Sequence, residues 1–433
     1  MPTMPTGSII TDPSKRLIAR RVMIFFAILA SGGNLLLPKE ILYAGFVLPA
    51  LLLRYPTELL TKNHRIIWLF LLTFVVIGTI GLASDSAGGF AGRMLAVLGG
   101  WLILCVYVHE RRDALANDIF IILKLFAYQA LATFFLALIV PQMFSAYEVV
   151  AGEFEYRSIA LLFTYHETSS LTSIFKRPDG FFYEPGVFQI YLNLLLYLSL
   201  FYRQRLVDAG VAALALLTLQ STTGLLIASL IGLAFARKRW ATAPAAERFL
   251  LLSGFPILLG PILVLTAMNT QDKLYGDSRG SAVARQYDAE AGAQLVLHNP
   301  LFGVGIDNER LSQEMLKYGD ARLSVQTARG AERTTSNGVL ELTGMLGIPF
   351  ALFVFLGLFR QRFFRHKILF GAAAFLTFIG ETLILTPFFM AIILSGLLAP
   401  QARQIARKIL TAKPSGRQRR ASAPRYAAVA KTR

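Results

Sequence analysis

Two stretches of this chain set arginines beside residues that can accept a proton. Lys176-Arg177-Pro178-Asp179-Gly180-Phe181-Phe182-Tyr183-Glu184-Pro185-Gly186 stands directly before a long apolar run. Pro-Asp-Gly reads as a turn, and Glu184-Pro185 as the start of the next helix. A guanidinium and a carboxylate therefore come to lie at the edge of an apolar segment, among aromatic rings. The same residue types also suit an interfacial aromatic belt with a capping glutamate. The second stretch is Arg279 to Gly305. Its spacing predicts a helix from Ser281 to Leu297, with His298 at its end and Asn299-Pro300 as the stop. Leu301-Phe302-Gly303-Val304-Gly305 then reads as a tight turn whose backbone N–H groups approach a ligand. Arg279 and Arg285 carry the charge to bind a phosphate group, although a surface helix with solvated arginines has the same composition. His298 suits a helix C-terminus better than it suits catalysis.

A third stretch, Ser336-Asn337-Gly338 through Gly347, opens another apolar run with Glu341 about one turn inside it, and Glu381 lies between two apolar halves. Carboxylates in such positions are costly and usually functional, with a helix-to-helix hydrogen bond as the plainer explanation. Several motifs are missing. The chain has no phosphate-binding G-x-x-x-x-G-K-[ST] loop, no H-E-x-x-H and no D-x-D. Those absences argue against ATP-driven motors, zinc hydrolases and nucleotide-sugar enzymes, and leave reactions whose donor arrives already activated. The single Cys105 rules out an intramolecular disulfide and any site built on several thiolates.

The elements that position these residues follow from composition. The chain is 55% hydrophobic, its mean hydropathy is +0.55, and apolar stretches recur along its whole length. A hydrocarbon core about 30 Å thick takes about 20 residues of helix. The expected fold is therefore all-α, a polytopic helical membrane protein with twelve candidate spans: 20–37, 41–53, 66–83, 91–108, 119–140, 186–202, 206–220, 222–236, 249–268, 337–358, 368–381 and 386–399. The pairs 206–220/222–236 and 368–381/386–399 are short for spans, so tilted helices or helices broken around Ser221-Thr222-Thr223-Gly224 and Glu381 are the two options. The +17 charge lies between apolar runs, which marks membrane topology rather than nucleic-acid binding. Its asymmetry places both termini in the cytoplasm. Residues 1–19 form a short tail, 20–399 the membrane domain, and 400–433 a basic tail suited to touching anionic lipid. Arg20-Arg21 before an apolar run imitates a signal peptide but reads as an uncleaved first span. Two loops on the far side are long, 142–185 and 269–335, with 3 and 8 Lys/Arg against 6 and 9 Asp/Glu. Loops of that length escape the orientation rule, so their bases do not oppose this topology.

Taken together, these segments resemble the O-antigen polymerase and O-antigen ligase superfamily of bacterial envelope glycosyltransferases. Arg285 followed by Pro300-Leu301-Phe302-Gly303-Val304-Gly305 matches the family's arginine and Pro-Leu-x-Gly-x-Gly spacing. Ser336-Asn337 through Gly347 matches its His-Asn span start with a downstream Gly pair, except that serine stands in place of histidine. Arg177-Pro-Asp-Gly-Phe-Phe-Tyr-Glu184-Pro looks like a segment common among its polysaccharide polymerases. Ser221-Thr-Thr-Gly224 falls where many members have Ser-Arg-Gly. The resemblance covers residues 170–390, and the missing histidine favours the polymerase branch over the ligase branch, because serine cannot take a proton as imidazole does.

The resemblance implies an inner-membrane enzyme that joins oligosaccharide repeat units carried on a polyprenyl pyrophosphate, on the periplasmic side. It implies no metal or diffusible cofactor and no nucleic acid. Membrane lipid, a flippase and a chain-length regulator of the same pathway are the implied partners. Arginine suits the departing pyrophosphate because a planar guanidinium binds phosphate oxygens in pairs. Arg285 is the first choice, then Arg177 and Arg279. Glu184 is the expected base, ahead of Glu341 and His298; Tyr183, Asn299 and Asn337 are expected at the substrate, and Phe181 and Phe182 either stack on sugars or anchor the helix. A ligase transferring glycan to a lipid core or a protein is the same-class alternative. A transporter or flippase for lipid-linked oligosaccharide is the alternative from another class.

Overall fold

The computed structural model of the chain describes residues 12–33, 37–53, 65–79, 87–108, 113–147, 156–160, 162–166, 176–245, 279–319 and 335–398, with isolated positions between them. The expected tail 400–433, most of the 249–268 span and residues 320–334 of the large insert lie outside the described residues.

Helices dominate: α1 (Pro13–Gly32), α2 (Lys39–Leu53), α3 (Arg65–Gly78), α4 (Ala87–Tyr107), α5 (Ala114–Ile139), α6 (Pro185–Leu198), α7 (Leu206–Leu219), α8 (Thr222–Trp240), α9 (Arg279–His298), α10 (Asn308–Leu316), α11 (Gly338–Arg360), α12 (Lys367–Gly380) and α13 (Pro387–Leu397). Among the described residues, four helical stretches, Gly89–Tyr107, Ala114–Ile139, Pro185–Arg203 and Gly338–Arg360, are long and apolar enough to cross a membrane. Helix α6 is the hub: its residues from Val187 to Leu198 are all buried, and it packs on α5, α7 and α8, while α1, α4 and α11 pack on α13. Outward faces of the other helices expose Leu69, Leu125, Leu214, Leu352 and Ile368, the pattern expected where hydrocarbon rather than water is the solvent.

Local sequence explains the helix ends. Pro185 and Pro387 occupy first-turn positions, where their missing N–H costs nothing. Ser221 and Asn337 cap α8 and α11 through their side-chain oxygens, satisfying donors with no partner inside the helix. Each expected short pair is two short helices that fold back on a turn: Asp208 at the start of α7 and Lys238 at the end of α8 lie at the same end of the bundle, as do the start of α12 and Leu398 after α13. Gln220 takes a left-handed conformation (φ 51°) between α7 and α8, and Glu381 is extended between α12 and α13.

One departure from the all-α expectation lies in the 142–185 loop. It holds a four-stranded antiparallel sheet of β1 (Ser145–Tyr147), β2 (Tyr156–Ile159), β3 (Phe163–His166) and β4 (Arg177–Pro178), paired in chain order. Strands of two to four residues are too short to declare themselves by alternation. Tyr165 packs on Phe144 and fixes the sheet against α5.

A cluster of interhelical polar pairs marks one end of the bundle. There Arg16, Arg20 and Arg21 meet Glu110 and Asp118, Lys124 meets Asp208, and Lys238 meets His366. The first turns of α6 and α11 open at the opposite end.

Candidate active site at the opposite end

Arg177 reaches this end on β4. The expected turn follows it: Gly180 has φ 62° and the Phe182 N–H donates to the Asp179 carbonyl. A side chain at Gly180 would lie 2.7 Å from the Phe188 ring, so the turn seats directly on α6. Arg177 Nε donates to the Leu219 carbonyl at 3.0 Å, an acceptor set free by the break between α7 and α8. Burial pulls this guanidinium below its ordinary value, and the Asp179 and Glu184 charges hold it up; arginine stays cationic throughout.

Glu184 stands at the N-cap of α6, but its side chain makes no capping bond. The backbone carbonyl takes the Val187 and Phe188 N–H groups instead, which leaves the carboxylate to face Gly186. A Cβ added to Gly186 would sit 2.8 Å from Glu381 Oε1 and 3.3 Å from Glu184 Oε1. Two carboxylates from opposite halves of the sequence thus share the space that the glycine leaves open. A Cβ on Gly338 would meet the Glu381 carbonyl at 2.5 Å, and one on Gly380 would touch the Thr223 side chain at 3.8 Å. The N-terminal turns of α6, α8 and α11 therefore gather around the break at Glu381. Each brings the positive end of a helix dipole, which favours nearby negative charge. Tyr156 donates to the Tyr183 carbonyl at 2.7 Å. Burial pushes both phenols up, seconded by Glu184 and Glu381 at Tyr183 and by Asp179 and Glu184 at Tyr156. Both stay protonated donors at neutral pH.

The polar insert docks on α11. Asp288 Oδ2 accepts from the Ser336 N–H and the Ser336 hydroxyl, both at 2.7 Å. Arg285 lies three residues earlier on the same helix and hence on the same side. Its side chain is exposed, and no hydrogen bond or ion pair to another described residue engages it. Arg279 opens α9, but its side chain lies outside the described residues.

The structure bears on four of the expectations. The Gly303–Gly305 turn does not offer its N–H groups to a ligand. Val304 N–H donates to the Gly344 carbonyl (2.8 Å) and Gly305 N–H to the Met345 carbonyl (2.9 Å), while Ile348 N–H donates back to Pro300 (2.8 Å). The acceptors exist because α11 breaks at Gly347 (φ 80°, ψ 164°). Glu341 is not placed as a base: it pairs with Arg93 at 2.6 Å, and Arg93 also holds Asn308. Phe182 is fully buried, stacked on Tyr191 at 4.9 Å, which fits the anchoring role of the two expected for it. Asn299, Asn337 and His298 act on their own backbone. Asn299 Nδ2 donates to Leu295, Asn337 Oδ1 accepts from Val339 and Leu340, and His298 Nδ1 lies 2.8 Å from the Gln294 carbonyl with its ring stacked on Tyr318.

The break at Gly347 carries a stability prediction. A Cβ there would lie 2.2 Å from the Leu301 carbonyl oxygen, on a backbone conformation essentially confined to glycine. Gly347→Ala is expected to cost at least about 1–3 kcal/mol and to lower the thermal midpoint of the detergent-solubilised protein; an unchanged midpoint would show that the turn does not dock there.

Sequence reasoning left Asp288, Arg93 and Glu381 off the site list. Glu381 had a signal, as an acid between two apolar halves. Asp288 and Arg93 had none, because their partners are distant in sequence. Among the described residues no group of His, Cys, Asp and Glu is arranged to hold a metal ion. These features define a mostly helical protein with four candidate membrane-spanning helices among its described residues, and with a buried Glu381 facing a half-buried Glu184 at one end. No protein-family model, curated protein or solved structure matches the chain.

Proposed function

We propose that the chain is a membrane glycosyltransferase of the polysaccharide polymerase type, akin to the O-antigen polymerase superfamily, that joins repeat units delivered on polyprenyl pyrophosphate. One observation carries this reading. Glu184, Glu381 and the α11 N-terminus meet at the end opposite the Arg16–Glu110 and Lys124–Asp208 pairs, beside a helix that presents an Arg285 with no partner among the described residues.

In the proposed step, a sugar hydroxyl of a fresh repeat attacks the anomeric carbon of the growing chain. The bond from that carbon to the pyrophosphate oxygen breaks, with inversion, and the electron pair leaves on the lipid pyrophosphate. The hydroxyl proton passes to Glu184. Arg285 neutralises the departing pyrophosphate, the task for which a guanidinium is suited. Arg177, whose Nε already holds Leu219, fixes the α7–α8 break and balances the acids. The gathering of bases at the other end favours a periplasmic position for the site and cytoplasmic termini, in a topology of twelve spans in a bacterial inner membrane.

A transporter of lipid-linked oligosaccharide is the second reading, favoured by the two short helix pairs whose turns meet at the buried Glu381. Glycan analysis of a deletion strain separates the readings. Polymerase loss leaves single repeats on lipid, exposed on the periplasmic face. Repeats trapped on the cytoplasmic face would indicate a transporter, and free long polymer on its carrier a ligase.

A further inference from the structure

Helix α9 runs alongside α11 in the same direction and in steady register. Asp288 Oδ2 takes the Ser336 N–H just before α11 begins. A Cβ on Gly292 would lie 3.2 Å from Leu340, and one on Gly344 would lie 3.1 Å from Leu295. The Ile348 N–H then donates to the Pro300 carbonyl at 2.8 Å. The two segments thus descend together, and the turn after α9 sits beside the break at Gly347. Helix α11 has 23 residues and is one of the four stretches long and apolar enough to cross a membrane. Ile348 lies about ten residues into it, or about 15 Å at 1.5 Å per residue. That is half the depth of a hydrocarbon core roughly 30 Å thick.

The exposed face of α9 changes character along that descent. Level with the start of α11 it shows Arg285, Gln286 and Glu290, with Gln286 bonded to Glu290. At the tip it shows Leu297, then Leu301 and Phe302, which are 68%, 61% and 55% exposed. At the same level α11 itself exposes Ile348 and Leu352. Irregular backbone at membrane depth must find its partners in protein, because hydrocarbon supplies none. This turn meets that condition: Gly303 N–H donates to Asn299, Val304 N–H to Gly344 and Gly305 N–H to Met345. Polar side chains fold back as well. Asn299 Nδ2 holds the Leu295 carbonyl, and the exposed His298 sets Nδ1 on the Gln294 carbonyl and stacks on Tyr318. A turn in water needs neither a broken span to supply its acceptors nor an apolar tip.

We propose that the second half of α9 and the turn to Gly305 form a re-entrant membrane element, with Leu297, Leu301 and Phe302 against the acyl chains of the bilayer. The insert, expected to lie wholly outside the membrane, sends one arm into it. Arg285, about one turn before Asp288, stays at headgroup depth. The reading requires that α11 crosses the membrane, and it does not depend on the glycan chemistry proposed above.

The test uses the full chain with Cys105→Ser in phosphatidylcholine nanodiscs, spin-labelled at Leu301→Cys, at Phe302→Cys or, as a control on the same helix face, at Gln286→Cys. Power-saturation paramagnetic resonance compares collisions with oxygen, which concentrates in hydrocarbon, against those with a water-soluble nickel chelate. The two tip labels are expected to meet oxygen several-fold more readily than nickel, and the Gln286→Cys label the reverse. Nickel access at the tip equal to that of the control would overturn the proposal. Low access to both reagents would overturn it too, because protein, such as a second copy of the chain, would then cover the tip. Phe302→Asp supplies an independent measurement: a charge in hydrocarbon should lower the thermal midpoint by several degrees, whereas Gln286→Lys at headgroup depth should leave it unchanged. A wild-type midpoint for Phe302→Asp would put the tip in water.

Discussion

Membranes carrying Arg285→Ala are expected to accumulate single lipid-linked repeats, with joining slowed about 10²–10³-fold, the usual loss when one group stabilising developing negative charge is removed. The protein should still insert and fold. Arg285 is exposed, and no described partner is orphaned by its loss, so the stability change should stay within about 0.5 kcal/mol. Arg285→Lys should recover only part of the rate, because an ammonium keeps the charge but loses the two-pronged contact to phosphate. Polymer of normal length and yield from the alanine variant would remove Arg285 from the mechanism.

Glu184→Gln is the second large effect. An amide of the same shape cannot take the hydroxyl proton, so the joining rate should fall about 10²–10⁴-fold with little change in the affinity for lipid-linked repeats. The thermal midpoint should hold, since the side chain caps nothing. Glu381→Gln distinguishes the two acids. If that variant loses polymer and Glu184→Gln does not, the proton acceptor is Glu381, which faces the same glycine.

Much of the architecture was legible in residue order. Apolar runs mark the helices, Pro185 and Pro387 mark helix starts, and the breaks near Ser221 and Glu381 follow from segments too short to be ordinary spans. The Pro178-Asp179-Gly180 turn was legible because proline and glycine restrict the backbone locally. Pairings between remote segments were not. Glu341 looked like an unpaired acid until Arg93 was placed beside it from a helix far earlier in the chain. The glycines of the Gly303–Gly305 turn do allow close approach, as their type implies, but what approaches is the broken backbone of α11. Nothing in the turn's own residues distinguishes a ligand from a neighbouring main chain. Asp288 likewise reads as an ordinary helical acid until Ser336 arrives.

The docking of that turn on α11 also constrains biogenesis. Val304 and Gly305 leave the ribosome about forty residues before Gly344 and Met345, whose carbonyls they need. During that interval the turn's main-chain donors must remain with water. Helix α9 is locked to the bundle only once the following apolar segment has been synthesised, so the polar insert docks after α11 has formed.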